Sequence, residues 1–241
     1  MLNGEISVET KDSFAVVRIS RPEKLNSVTK QMLYDFRETV SQIANDPNIR
    51  ALIITGEGDG AFSAGFDKEM VTGLKGPEAV EFFKTLEKTM RLIRENRTCV
   101  TVAAVNGYAI GFGAMVAGAC DFRIFSDTGV FRFPEIDLSI FPGAGAASSL
   151  LHLVGPARAK DILMTGRQVS AREALQIGFA DMLVSKDELM EKTMEFVMNL
   201  LEKDPMILIR TKTLIDGMTG KDIGEADELE AVYLDEWLRE V

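Results

Sequence analysis

The chain has 241 residues, 46% of them hydrophobic and 27% charged, enough for one large globular unit or such a unit with an appendage. A net charge of −10, from 27 basic and 37 acidic residues, opposes non-specific nucleic-acid binding, and no apolar run approaches the roughly 20 residues that span a bilayer. One histidine (His152) and two separated cysteines (Cys99, Cys120) argue against a Cys/His metal site and a disulfide framework, so a reducing cytoplasm is the expected location.

Along the chain, Ile6 and Val8, then the turn Lys11-Asp12-Ser13, then Phe14, Val16, Val17 and Ile19 read as a β-hairpin closed by Arg21-Pro22. From Thr29 to Ala44, Met32, Leu33, Phe36, Val40 and Ile43 recur at helical spacing, and Asp46-Pro47 stops the helix. Ala51 to Thr55 is a short buried strand. The loop Gly56 to Asp67 follows, in which Gly65 either lets a ligand approach the backbone or merely serves a tight turn. Residues 77–95 predict an amphipathic helix with Val80, Phe83, Leu86, Met90 and Ile93 on one face, belonging to a core or a lid.

Cys99 to Val105 is a second buried strand, broken at Asn106-Gly107. The small-residue run Gly111-Phe112-Gly113-Ala114 then opens an apolar helix. A strand feeding a glycine turn feeding a helix leaves backbone N–H groups unpaired, able to bind an anion or stabilise one that forms in a reaction. Glu135 lies about twenty residues on, in the apolar context FRFPEI, where a desolvated carboxylate can serve as a base. Two such turns, offering the N–H groups of Phe66 and Phe112, could converge on one oxygen, and with Glu135 they suggest enolate chemistry.

Pro142 to Gly145 turns into a helix from Ala146 to Val154, where His152 sits as a packed or partly exposed residue, and Gly155-Pro156 separates it from the next helix. Ser170 and Glu173 form a predicted capping box for a helix running to about Gly178, and Phe179 to Ser185 is extended. Helices over 187–202, 205–215 and 222–240 complete the chain. The shift in composition divides a mixed α/β body, 1–185, from a helical region, 186–241, whose apolar stripes need a partner surface on the body or on another subunit.

With AGFD at 64–67, AVNGYAIGFG at 104–113 and PEIDLSIFPGAG at 134–145, the chain resembles the enoyl-CoA hydratase/isomerase (crotonase) family. RPEKLNSV, Arg21 to Val28, and GRQVSAREALQIGFAD, Gly166 to Asp181, resemble further segments of that family, and all occur in its order across residues 5–185. The resemblance implies an α/β spiral of repeated ββα units with a C-terminal helical trimerisation region, assembled as a homotrimer or homohexamer. It implies an acyl-CoA thioester substrate, with coenzyme A belonging to the substrate and no separate cofactor or metal. Its carbonyl oxygen would sit between the N–H groups of Phe66 and Phe112 while Glu135 moves a proton. Lys24, Leu25, Ala64, Gly65, Asp67, Lys68, Gly111 and Gly143 match substrate- and CoA-binding positions.

This chain departs from the hydratases of the family at Met115, where they carry a second glutamate; Asp137, two residues past Glu135, matches no catalytic position. One carboxylate can shuttle a proton from C2 to C4 of a 3-enoyl thioester, whereas hydration must also hold and deprotonate water. The expected activity is therefore double-bond isomerisation. The alternatives are an enoyl-CoA hydratase, a related enolate reaction such as decarboxylation or C–C bond formation, and a non-catalytic acyl-CoA-binding protein.

Overall fold

A computed structural model describes residues 4–240. The predicted hairpin is present: β1 (Glu5–Lys11) pairs antiparallel with β2 (Phe14–Ser20), and Asp12 takes the left-handed turn conformation. A short 3-10 turn, Pro22–Lys24, leads to α1 (Lys30–Ala44), whose first turn is capped by the Thr29 hydroxyl accepting from Met32 N at 3.1 Å.

From there the chain repeats one device. A strand joins a first sheet, a short strand joins a second, and helical chain returns. β3 (Ala51–Gly56) and β4 (Ala61–Ser63) precede α2 (Lys68–Gly73) and α3 (Gly76–Arg94). β5 (Val100–Val105) and β6 (Tyr108–Ile110) precede α4 (Phe112–Ala119). β7 (Phe122–Ser126) and β8 (Val130–Arg132) precede a 3-10 turn, Glu135–Leu138, and α5 (Ala146–Thr165). After β9 (Val169–Ser170), α6 (Ala171–Gln176) and β10 (Met182–Val184), the first sheet has the order β1-β2-β3-β5-β7-β10 and the second β4-β6-β8-β9. This is the expected spiral of ββα units, and its parallel pairing places the ends of β4 and β6 side by side.

Strand residues alternate between two cores, which is why the strands read as unbroken apolar runs. Leu52, Ile54, Ala103 and Val105 face α1, α3 and α4, while Ala51, Ile53, Val102 and Ala104 face α7 (Leu189–Leu201). Leu189 and Val197 are buried there, and the Phe196 ring meets Phe122 edge-on with centroids 5.0 Å apart. The next two helices, α8 (Pro205–Met218) and α9 (Ile223–Leu238), pack on each other and bury no residue completely. Lys212 ties α8 to the body through Asp121 at 2.7 Å and the Cys99 carbonyl at 3.2 Å.

Four local expectations need correction. The span Gly56 to Asp67, read as a loop, contains the strand β4. The inward face of α3 is Phe82, Thr85, Leu86, Thr89, Met90 and Ile93; Val80 is exposed and Phe83 only half-buried, because the register is rotated to bring Phe82 under the Phe66 ring. Ser170 caps α6, but Glu173 does not reach back to close a box, since Arg167 takes both of its carboxylate oxygens. That helix also ends at Gln176, with Gly178 in the turn beyond it. The Gly155 break within α5 falls where predicted, at φ +74°. No helix among the described residues is long and apolar enough to cross a membrane.

Candidate active site

The ends of β4 and β6 carry the two glycine turns, and the parallel sheet brings them together. Gly65 stands at φ +85°, and a Cβ there would lie 2.8 Å from the Ile110 carbonyl and 3.6 Å from Phe112 N. Only a residue without a side chain lets these turns abut. Gly113 serves the same purpose at the start of α4: its Cβ would be 2.6 Å from the Ser63 carbonyl, so the helix is pressed onto β4.

Gly111 N donates to the Arg132 carbonyl at 2.9 Å, and Met115 N donates to the Gly111 carbonyl at 2.9 Å. Between them the first N–H groups of α4 lie outside its hydrogen-bond ladder. Among the described residues, neither Phe112 N nor Phe66 N donates to a protein acceptor. The Phe112 side chain turns into the core, with its ring edge-on to Phe36 at 5.5 Å and tilted against Phe66 at 5.1 Å.

A clamp holds the first turn in place. Ala64 N donates to the Leu25 carbonyl at 2.9 Å, and Val28 N to the Gly65 carbonyl at 2.7 Å. The Arg21 guanidinium bonds both Ser27 Oγ (3.0 Å) and Asp67 Oδ2 (3.1 Å), while Asn26 Nδ2 reaches the carbonyls of Glu57 and Ala61. Arg21, Asn26 and Ser27 were not singled out from the sequence. The available signal was an asparagine close after Arg-Pro, a residue that tolerates the left-handed conformation Asn26 adopts at φ +56°.

Glu135 opens the 3-10 turn beyond β8 and is 7% exposed. Its Oε2 has no hydrogen-bond partner among the described residues. Burial pushes its carboxyl above the ordinary glutamate range, opposed by a backbone hydrogen bond and by the nearby Arg132 charge. Asp137 forms an ion pair with Arg132, which also donates to the Gly166 carbonyl.

These pieces meet at a cavity of about 70 Å³. Of the residues singled out from the sequence, Ala64, Gly65, Phe66, Gly111, Phe112, Glu135 and Gly143 line it, as does Met115. Lys24, Leu25, Asp67 and Lys68 do not; they sit on the clamp and at the start of α2, with Lys24, Leu25 and Lys68 exposed. Val71, Phe83, Leu86, Leu138, Ile140 and Phe141 complete much of the apolar wall, and among the described residues Glu135 is the only acidic side chain lining it. His152 lies in a separate cleft beside α8, and burial raises the thiols of Cys99 and Cys120 to about 11 and about 12, leaving them weak nucleophiles.

The family model described as enoyl-CoA hydratase/isomerase matches residues 9–233. The chain belongs to the enoyl-CoA hydratase/isomerase family. It is 36% identical over 226 residues to a crotonyl-CoA hydratase of Syntrophomonas wolfei, covering 94% of this chain and 86% of that one. A short-chain-enoyl-CoA hydratase of Clostridium acetobutylicum is 33% identical over 231 residues, covering 92% and 84%. In structure, the enoyl-CoA hydratase of Bacillus anthracis matches with a TM-score of 0.90 at 29% identity, covering 96% of this chain and 90% of that one. A putative enoyl-CoA hydratase of Thermobifida fusca in complex with acetoacetyl-CoA matches with a TM-score of 0.89 at 27% identity, covering 98% and 95%. This chain is therefore an enoyl-CoA hydratase/isomerase family enzyme with a crotonase-type fold.

Proposed function

We propose that the enzyme moves the double bond of a 3-enoyl-CoA thioester to the 2 position, with Glu135 as its one proton carrier. The observation that carries this reading is that, among the described residues, Glu135 is the one carboxylate lining the cavity, with Met115 also in the lining. The thioester carbonyl oxygen accepts from Phe66 N–H and Phe112 N–H. The Glu135 carboxylate removes a proton from C2, and the C–H electron pair flows into the carbonyl to give a dienolate. The oxyanion is held by the two amides, each contributing about 3 kcal/mol at the transition state. The same carboxyl returns the proton at C4, giving the conjugated 2-enoyl thioester and restoring the base. A glutamate whose proton affinity is raised by burial suits both halves of that exchange.

Coenzyme A extends from the cavity over the clamp, where Lys24 and Lys68 are exposed for its phosphates. Asp67, paired with Arg21, serves this arrangement by holding the Phe66 turn. The 1–185 body carries the site, and the 186–241 region supplies a subunit contact through Ile215, Ile223, Val232, Leu234 and Leu238, large apolar side chains exposed on α8 and α9. We take the assembly to be a trimer or hexamer, which light scattering of the purified protein would measure.

Hydration of a 2-enoyl-CoA is the second reading, favoured by the hydratase names of the relatives in Syntrophomonas wolfei and Clostridium acetobutylicum. Purified protein offered 3-enoyl- and 2-enoyl-CoA separately decides between them. Rapid conjugation of the first with slow water addition to the second supports isomerisation. Fast hydration without double-bond migration replaces it.

A further inference from the structure

The walls of the cavity differ sharply in character, and on the acyl-CoA reading of the site they bear on which acyl group it takes. The floor is lined by residues with almost no solvent exposure: Phe112 at 1%, Leu86 at 2%, and Met115 and Glu135 at 7% each. The rim is half-buried or open, with Phe83 on α3 and Phe141 on the loop after the 3-10 turn, the latter 86% exposed. Leu86 belongs to the continuous core that also holds Phe82, Met90 and Phe112, so the floor is backed by packed side chains.

A cavity of about 70 Å³, backed by packed side chains, leaves room for a short acyl group and little more. We propose that this enzyme is selective for short acyl thioesters, of four to six carbons, and that Leu86 and Phe83 on α3 set the limit. A longer unbranched chain must either displace Leu86 from a packed core or bend out past Phe83 and Phe141 into water, where further methylenes gain nothing.

The test uses saturated straight-chain acyl-CoA thioesters from two to twelve carbons, which bind without reacting, measured by calorimetry on the full-length protein. Affinity is expected to rise about fourfold for each added methylene up to four to six carbons, the value of burying one CH₂, and then to level or fall. Phe83→Ala and Leu86→Ala each move that plateau to longer chains, by about two carbons. Phe83 is half-buried, so its variant serves if loss of the Leu86 side chain disturbs folding. A wild-type affinity that climbs evenly to twelve carbons overturns the length limit alone. A limit that both folded variants leave in place overturns the role of α3. Failure of every thioester to bind overturns the acyl-CoA reading of the site and this inference with it, whereas isomerisation and hydration, tested on reactive enoyl thioesters, leave the binding plateau unaffected.

Discussion

Replacing Glu135 by glutamine should remove the reaction and stabilise the protein, two effects of opposite sign from one atom change. The side chain is 7% exposed and one of its oxygens has no partner among the described residues, so its negative charge sits in poorly solvated surroundings. Glutamine keeps the volume and loses the ionisation. For activity, a positioned acid or base is worth roughly 10²–10⁴-fold, and in the proposed mechanism one group serves both proton transfers. The expected loss in kcat is therefore about 10⁴-fold, or about 5 kcal/mol of barrier, followed through the ultraviolet absorbance of the conjugated thioester.

For stability the sign follows from linkage. The folded-state pKa of Glu135 is raised, so its contribution is fully present below the ordinary glutamate value of about 4.3 and is lost as pH rises through the higher folded value. Each unit of upward shift corresponds to about 1.4 kcal/mol. Glu135→Gln escapes that loss. Its urea midpoint should match wild type near pH 4 and exceed it near pH 8, with an unchanged denaturant slope. A variant retaining kcat within tenfold of wild type, or one destabilised more at pH 8 than at pH 4, would refute the assignment of Glu135 as a buried, charge-penalised base.

The wild-type rate should show an acid limb whose midpoint lies above the ordinary glutamate range, since the proposed mechanism needs ionised Glu135 to accept the C2 proton; a midpoint near 4 in a pH–kcat/KM profile would contradict it. Met115→Glu should raise the 2-enoyl-CoA hydration rate by about tenfold or more and push the titration of the resulting carboxylate pair upward, and unchanged hydration would show that a missing carboxylate is not what limits water addition. Gly65→Ala meets both a positive φ and the Ile110 carbonyl at 2.8 Å, so it should cost about 1–2 kcal/mol in stability. The same change should lower kcat by about 10²-fold through the displaced Phe66 N–H, and a Gly65→Ala enzyme that is fully active and equally stable would show that the turns need not abut. Charged residues in place of Val232 and Leu234, exposed at 51% and 52%, should lower the oligomeric mass seen by light scattering while leaving the far-ultraviolet spectrum intact.

Local signals in the chain carried most of the elements. The helix expected from Thr29, Gly155-Pro156 inside α5, and the run Cys99 to Val105, whose strand starts one residue later at Val100, appear in the structure close to where the residues place them, because caps, breakers and doubly buried strands are short-range matters. The glycine turns and the apolar surroundings of Glu135 were legible for the same reason. The clamp was not: Arg21 and Asp67 are 46 residues apart, and nothing in either neighbourhood names the other. The face of α3 was misjudged because helical periodicity alone does not choose between Phe82 and Phe83, whereas the Phe66 ring does, at 4.9 Å from Phe82.

Strands, helices, the two small-residue turns and a carboxylate in apolar company were all written into the order of the residues, since each depends on neighbours within one or two turns of chain. That those pieces form one cavity was settled by packing across the fold. The three ββα repeats share no sequence pattern, because the requirement they meet is parallel pairing between distant strands rather than any particular side chain. That pairing sets Gly65 against Ile110, closes Leu86 and Met115 under the site, and leaves a carboxylate oxygen of Glu135 without a partner among the described residues.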